Sequence, residues 1–377
     1  MKLFLLRLLL GLAFLMAALA IVLNIRYGGG EPYPDLSGTP LFGEGTLEVV
    51  VTSAEPIGNL AVSGDGRVFY TIHPESRPSG AKLLEWVDGA AKPFPSEEAQ
   101  ALFETPLGIA IDRQNRLWTI DHGNHGTGNA RLLAFDLGTG GLVHEHVFDS
   151  SVAQLGSFLQ DLQVDATGKH VFIADVSFWR KNPGLIVYDV ELGKARRVLD
   201  SDPSVSAQDW LIRNPTKDMT FFGGLVVLKP GVDGIAISRD DNWIYYGAMA
   251  HDTMYRIKVA DLLDDSLSVG ALAARVQALG AKPLNDGLST DREGNLLITD
   301  VEHSAVIRMT PDGELTTLIR SEKIRWADAL SYGPNGWLYV ADSAIPDQML
   351  QLKTHIQAHA PYYIFRFKPD IDGVPGQ

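Results

Sequence analysis

No cysteine occurs among the 377 residues. That excludes disulfides, a thiolate nucleophile and any cysteine-ligated zinc, and leaves packing and sheet closure to hold the fold. Charge is scarce as well, with 21% Asp, Glu, Lys and Arg, and the balance is acidic, a formal −14. No basic stripe with interleaved aromatics offsets it, so binding to a phosphate backbone is not expected. Neither a Gly-x-Ser-x-Gly elbow, a phosphate loop, a dinucleotide glycine fingerprint nor a Ser-His-Asp order occurs in a credible context. Catalytic residues therefore cannot be named from motifs.

Long apolar runs are also missing, with one exception at the start. Lys2 and Arg7 precede an uncharged stretch from Leu8 to Ile25, about eighteen residues, followed by Arg26 and Gly28–Gly30. Two readings fit it: a secretory signal, with Ala18-Leu19-Ala20 as a small-x-small cleavage site, or an uncleaved anchor just long enough to span a bilayer. Both export the remainder of the chain to a periplasmic or extracellular location, secreted or tethered. Residues 28–45, rich in Pro and Gly, read as a linker, and 46–370 as one domain.

That domain is built on a recurring phrase. Val232–Gly247 (VDGIAISRDDNWIYYG) has two short apolar runs around a polar turn, which is a β-hairpin. It returns as NDGLSTDREGNLLITD at Asn285–Asp300 and ADALSYGPNGWLYVAD at Ala327–Asp342, with looser copies at Asn59–Ile72, Leu107–Asp121 and Asp161–Asp175. Six copies at intervals of about forty to seventy residues, with strand-like sequence between them, predict an all-β, six-bladed β-propeller behind an N-terminal apolar signal or anchor helix. The strand around Thr46–Thr52 is expected to close the ring against Tyr362–Phe367, removing the open edge. The long interval Asp200–Gly231 reads either as a rim loop or as an extra hairpin.

Asp233, Asp286 and Asp328 each precede the innermost strand of their copy, so radial symmetry should bring them together at one rim of the central channel. Asp161 and Asn59 lie one residue out of phase. The competing reading is local: an Asp at a strand start can bond the backbone and fix a turn. Converging carboxylates would raise each other's pKa unless a cation or donors compensate. With Asn285 beside Asp286, an oxygen-rich site for calcium or a similar divalent cation, with Asp233 and Asp286 as ligands, is one expectation, and a cationic amine is another. Trp326 and Phe178 are candidates for an apolar wall. His122 and His125, in a glycine-rich loop, read as a solvated turn for want of a third ligand, and His73, His251 and His303 as surface or satisfied core residues. Asp300, Glu302 and His303 form a tighter cluster at a strand end.

The phrases RLWTIDHG (Arg116–Gly123), RLLAFDLGTG (Arg131–Gly140), SFLQDLQVD (Ser157–Asp165), GLIVYDVELGKARRVLDSDPSV (Gly184–Val205) and GVDGIAISRDDNWIYY (Gly231–Tyr246), with the Asp286 and Asp328 hairpins, resemble the Yellow/major royal jelly protein family, including bacterial members described as dopachrome-tautomerase-related. The resemblance implies an exported six-bladed propeller that binds a small ligand, such as a biogenic amine, in its channel, and associates some members with tautomerase or isomerase activity. A more distant resemblance to gluconolactonase and senescence-marker propellers implies a divalent cation and lactone hydrolysis. Their later ligand positions correspond to Asp233 and Asp286. Their blade-one Glu is missing, Gly58 standing there beside Asn59, with Glu55 the nearest acid.

Overall fold

The computed structural model describes residues 1–376. Six four-stranded antiparallel sheets are arranged radially. The first blade holds Ile57–Val62, Val68–Ile72, Leu83–Val87 and Ala90–Pro93, and the second runs from Pro106–Ile111 to Leu142–Val147. The third extends from Leu159–Val164 to Lys194–Val198, the fourth from Val232–Ile237 to Gln277–Ala281, and the fifth from Leu288–Thr290 to Leu315–Arg320. The sixth is completed from both ends of the domain: Glu48–Ser53 pairs outside Tyr362–Phe367, which pairs with Leu338–Asp342 and, beyond it, Ala327–Tyr332. The first strand of each blade packs beside the first strand of the next, and the last beside the first, so the inner strands close a ring around a channel.

Alternation in the strands explains why the ring holds without disulfides. Each blade turns one apolar face to the preceding blade and one to the next, so the buried side chains collect into cores between blades. Ala110, Trp118, Leu162, Ile173 and Tyr188 fill the gap between the second and third, and Phe69, Phe94, Phe103, Leu133 and Phe135 the gap between the first and second. A separate cluster of Ile212, Leu228, Met249, Trp326 and Ile345 lies above the ring at one end of the channel. This is the end at which each inner strand begins, the mouth. At the opposite end the C-terminal segment crosses the channel: Ile111 N–H donates to Gly376 O (3.3 Å), and Gly376 N–H to Tyr332 O (2.9 Å).

The interval Asp200–Gly231 combines both readings open for it. Thr220–Phe221 and Val226–Val227 form a small hairpin, and it stands on the mouth rim. The expected linker does not hang free. Glu31–Pro32 pairs in parallel with Trp210–Leu211, Leu41 and Phe42 donate backbone bonds to Thr317 and Leu318, and the Tyr33 hydroxyl donates to Lys282 O (2.9 Å). Apolar residues spaced among the prolines find grooves on the propeller. The apolar start is one helix, Lys2–Tyr27, which at about 1.5 Å per residue is long enough to cross a membrane.

Candidate functional site

Five of the six inner strands are irregular where they enter the channel. The register slips between Val232 and Gly234, between Ala327 and Ala329, and between Leu159 and Asp161, leaving Asp233, Asp328 and Gln160 as bulged residues. A bulge redirects one side chain out of the sheet's alternation, and here it aims three of them at the channel. The small residues that come next are required by packing: a Cβ on Gly234 would collide with the Asp286 carbonyl oxygen, and one on Gly287 with that of Asp328. The Asp-Gly pairs of the sequence are thus an inward acid followed by a place where the neighbouring strand comes close.

Asp233, Asp286 and Asp328 come together as a layer, all three buried. The blade-three residue in phase with them is Gln160, not Asp161; Asp161 falls one step further down and still faces the other three. Asp286 accepts from Trp326 Nε1–H (2.7 Å) and Gln160 Nε2–H (3.3 Å), and Asp161 from Asn59 Nδ2–H (3.3 Å) and Leu162 N–H (3.2 Å). By contrast Asp233 Oδ2, Asn285 Oδ1 and Asp328 Oδ2 are buried with no hydrogen-bond partner. The local turn-fixing role does not account for those oxygens.

Burial holds the protons on this layer, and mutual repulsion adds to it. The Asp161 carboxyl is pushed up to about 7 and Asp286 to about 8, against the lowering effect of Trp326 in the second case. Asp233 and Asp328 are raised well above the ordinary carboxylate range. Lys282, fully buried, is brought down to about 7 by burial, opposed by Asp252, Asp300 and Asp233. Nothing in the sequence pattern singles out this lysine. Near neutral pH the layer therefore acts as paired donors and acceptors, and a cation entering it displaces protons.

Above the layer opens a funnel of about 720 Å3, counted to its open mouth, walled by Phe158, Phe178, Phe221, Met249 and Trp326. His73, Glu75 and His125 also face it, from loops that leave the second strands of the first two blades. His73 Nδ1 accepts Glu75 N–H (3.2 Å), which puts the neutral ring's proton on Nε2, 3.8 Å from the unpartnered Asp328 Oδ2. Burial lowers His73 to about 4. His125 pairs with Glu75 (2.9 Å), and His122 is buried against Phe158. The reading of His122 and His125 as a solvated turn is corrected: aromatic and acidic neighbours from other blades, invisible in the local sequence, gather this loop into the site. His73 likewise belongs to the site, whereas His251 caps its own loop by accepting Thr253 N–H (3.0 Å). Strand alternation carried the missed signal, because the end of every second strand returns to the same mouth.

The layer's donors are of the kind a hard cation takes, but they are not gathered as one requires. Asp286 has both oxygens engaged, and Glu55 pairs with Lys353 (2.8 Å). Among the described residues, three His, Asp or Glu donors converge within 4.8 Å only at Asp347, His355 and His359, and at Asp35, Asp300 and His303, neither set drawn from the channel layer.

Comparison with solved structures places the fold. A luciferin-regenerating enzyme is similar with a TM-score of 0.59 at 12% identity, covering 88% of this chain and 97% of its own. A gluconolactonase from Xanthomonas campestris (TM-score 0.54, 16% identity, 86% and 89% covered) and a calcium-binding regucalcin from Agrobacterium tumefaciens (0.54, 14%, 90% and 98%) share the architecture. In sequence, the chain is 29% identical over 164 residues to major royal jelly protein 3 of Apis mellifera, an alignment spanning 40% of this chain and 27% of that protein. The family described as major royal jelly protein matches residues 105–324, from the entry of the second blade's inner strand to just past the fifth blade's last strand. That segment is more than half of the chain and includes Asp161, Asp233 and Asp286, and the chain belongs to the major royal jelly protein family.

Proposed function

We propose that this chain is an exported propeller that binds a small molecule at the channel mouth, its cationic or hydrogen-bonding group on the acid layer and its aromatic or apolar body in the funnel. One observation carries the reading: buried Asp233 presents an unpartnered oxygen at the floor of an aromatic-walled cleft, and the unpartnered oxygen of Asp328 lies just beneath it, 3.8 Å from His73 of the cleft wall. Unsatisfied buried acceptors are costly, roughly 1–3 kcal/mol each and more when charged, and a ligand's N–H or O–H groups would relieve that. The N-terminal helix supports export, by either a signal or an anchor. Calorimetry with phenethylamine and its neutral isostere tests the pairing. Binding of the amine that is weakened in both Asp233→Asn and Asp328→Asn supports it, and equal affinity in wild type and variants refutes it.

A second reading, an isomerase that moves a proton, is favoured by Asp161 at about 7 and Asp286 at about 8, where a carboxyl can both take and give a proton near neutrality. Solvent deuterium appearing in a bound enolisable carbonyl compound, and absent with Asp286→Asn, would separate it from simple binding. A calcium-dependent lactone hydrolase needs Asp233 and Asp286 to converge on an ion. Equilibrium dialysis with calcium, showing no retention by the wild type, would remove that reading.

A further inference from the structure

Twelve large apolar side chains are exposed outside the N-terminal helix among the described residues, and four of them share one rim. Trp179 (40% exposed), Phe222 (64%), Leu350 (49%) and Leu352 (76%) all belong to the segments that form the rim of the funnel. Phe222 sits in the rim hairpin's turn and Leu350 just after the short helix Ile345–Gln348, and both hold left-handed backbone (φ 52° and 57°) that bulky residues rarely adopt. No core contact explains why apolar residues stand at such positions.

The same rim receives the end of the membrane-length helix. Tyr27, its only buried residue, donates its hydroxyl to Trp179 O (2.6 Å) and packs on Phe178 (5.8 Å between ring centres). Arg26 donates to Arg180 O (2.8 Å), Lys229 to Gly28 O (2.5 Å), and the helix also touches the rim strand Val226–Val227. Phe178 and Trp179 are themselves walls of the funnel. The last turn of the helix is therefore fixed to the mouth, with no slack between them. Around this joint stand Arg26, Arg180, Lys181 and Lys229, with Asp209 paired to Lys229 (2.6 Å), an edge of net positive charge on a chain whose formal charge is −14. Aromatic residues mixed with Lys and Arg beside a spanning helix are the composition of a membrane–water boundary.

We infer that the rim of the funnel is a lipid-docking surface: Trp179, Phe222, Leu350 and Leu352 enter the headgroup region of the bilayer that holds the helix, so that the channel mouth opens onto the membrane. On the binding reading given above, the consequence is that the ligand is an amphiphile drawn from the bilayer, with its polar end reaching the acid layer.

The absence of cysteine makes the test clean. Phe222→Cys, Leu352→Cys and Leu192→Cys, the last in the exposed turn between the third blade's outer strands, are each labelled with an environment-sensitive fluorophore in the full-length chain, reconstituted in vesicles of phosphatidylcholine and phosphatidylglycerol. Blue-shifted emission, quenched by spin-labelled lipid at positions 222 and 352 and not at 192, is the expected result. Equal, water-like emission at all three would overturn the docking surface whatever the amine calorimetry gives. Quenching at all three would also overturn it, since that reports tethering without orientation. Loss of amine binding in vesicles with the rim labels still quenched would instead count against the binding reading and leave the docking surface standing.

Discussion

Two sets of aspartates lie at the same end of the propeller, one at the start and one at the end of its hairpins, and they are used in opposite ways. Asp121, Asp175, Asp300 and Asp342 end the second strands and are saturated. Asp175 accepts from Phe158 N–H (2.8 Å), Ser177 N–H (3.1 Å) and Arg197 (2.6 Å), and Asp342 from Trp326 N–H (3.0 Å), Ala344 N–H (3.2 Å) and Arg325 (2.8 Å). The inner-strand acids are equally buried, but Asp233 and Asp328 each keep an unpartnered oxygen. Burial alone thus does not identify a functional carboxylate; unsatisfied burial does. The two sets also cooperate, because the saturated acids grip the residues that lead into the inner strands, Phe158 before Gln160 and Trp326 before Asp328. One ring fixes the entry angle and the other occupies it.

The largest expected contrast is in stability. Asp175→Ala leaves the Arg197 guanidinium, which is 6% exposed, with the part-exposed Asp200 (2.8 Å) as its remaining carboxylate and orphans two backbone donors, and should cost about 2–4 kcal/mol in urea unfolding. Asp233→Asn removes no partnered group and should change stability by less than about 1 kcal/mol, or raise it. Similar losses for both would erase the distinction. In ligand binding the order reverses: Asp233→Asn and Asp328→Asn should weaken amine affinity by about 30-fold or more, the effect of removing one partner of a buried charge contact. Variants of the saturated ring that remain folded should bind almost normally.

Much of this is legible in the sequence. The sixfold phrase announces the ring, the strand near Thr46 does close against Tyr362–Phe367, and Asp233, Asp286 and Asp328 do converge. Three things are not legible, each for a physical reason. Bulges are decided by contact between neighbouring inner strands, so the repeat pattern points to Asp161 where the in-phase residue of the third blade is Gln160. Hairpin direction brings the second-strand loops to the mouth, but which of their residues meet there, His73, Glu75 and His125, is set only in three dimensions. Lys282 lies outside the repeated phrase, just beyond the fourth blade's last strand, and its side chain nears Asp233 by running across Gly247, where there is no Cβ to block it.

Acidity sharpens the comparison further. Asp286 is raised to about 8 in the folded chain, from 3.8 when exposed, so between those values the native state holds a proton that the unfolded state has lost. Its contribution to stability is then complete below about pH 4 and declines as pH rises toward 8, at up to about 1.4 kcal/mol per pH unit. Unfolding measured at pH 5 and pH 8 should show wild type losing more stability than Asp286→Asn. Binding of a quaternary ammonium probe, whose charge does not titrate, should move the other way and tighten from pH 6 to pH 9 as the layer ionises. Parallel trends in stability and binding would mean that the layer does not titrate in this range.

The smallest effect isolates a single hydrogen bond. Trp326 Nε1–H, at 2.7 Å from Asp286 Oδ2, favours the charged carboxylate, while the indole ring supplies part of the funnel wall. Trp326→Phe keeps most of the apolar surface and deletes the donor. The Asp286 carboxyl should then rise further, moving the midpoint of the pH-dependent binding upward by about one unit or less, because a neutral donor to a carboxylate contributes on the order of 1–2 kcal/mol. If the midpoint stays fixed while affinity falls, Trp326 acts through ring contact alone and the proton that governs binding belongs to Asp161, Asp233 or Asp328. The shift thus decides whether Asp286 is the carboxyl from which the ligand displaces a proton.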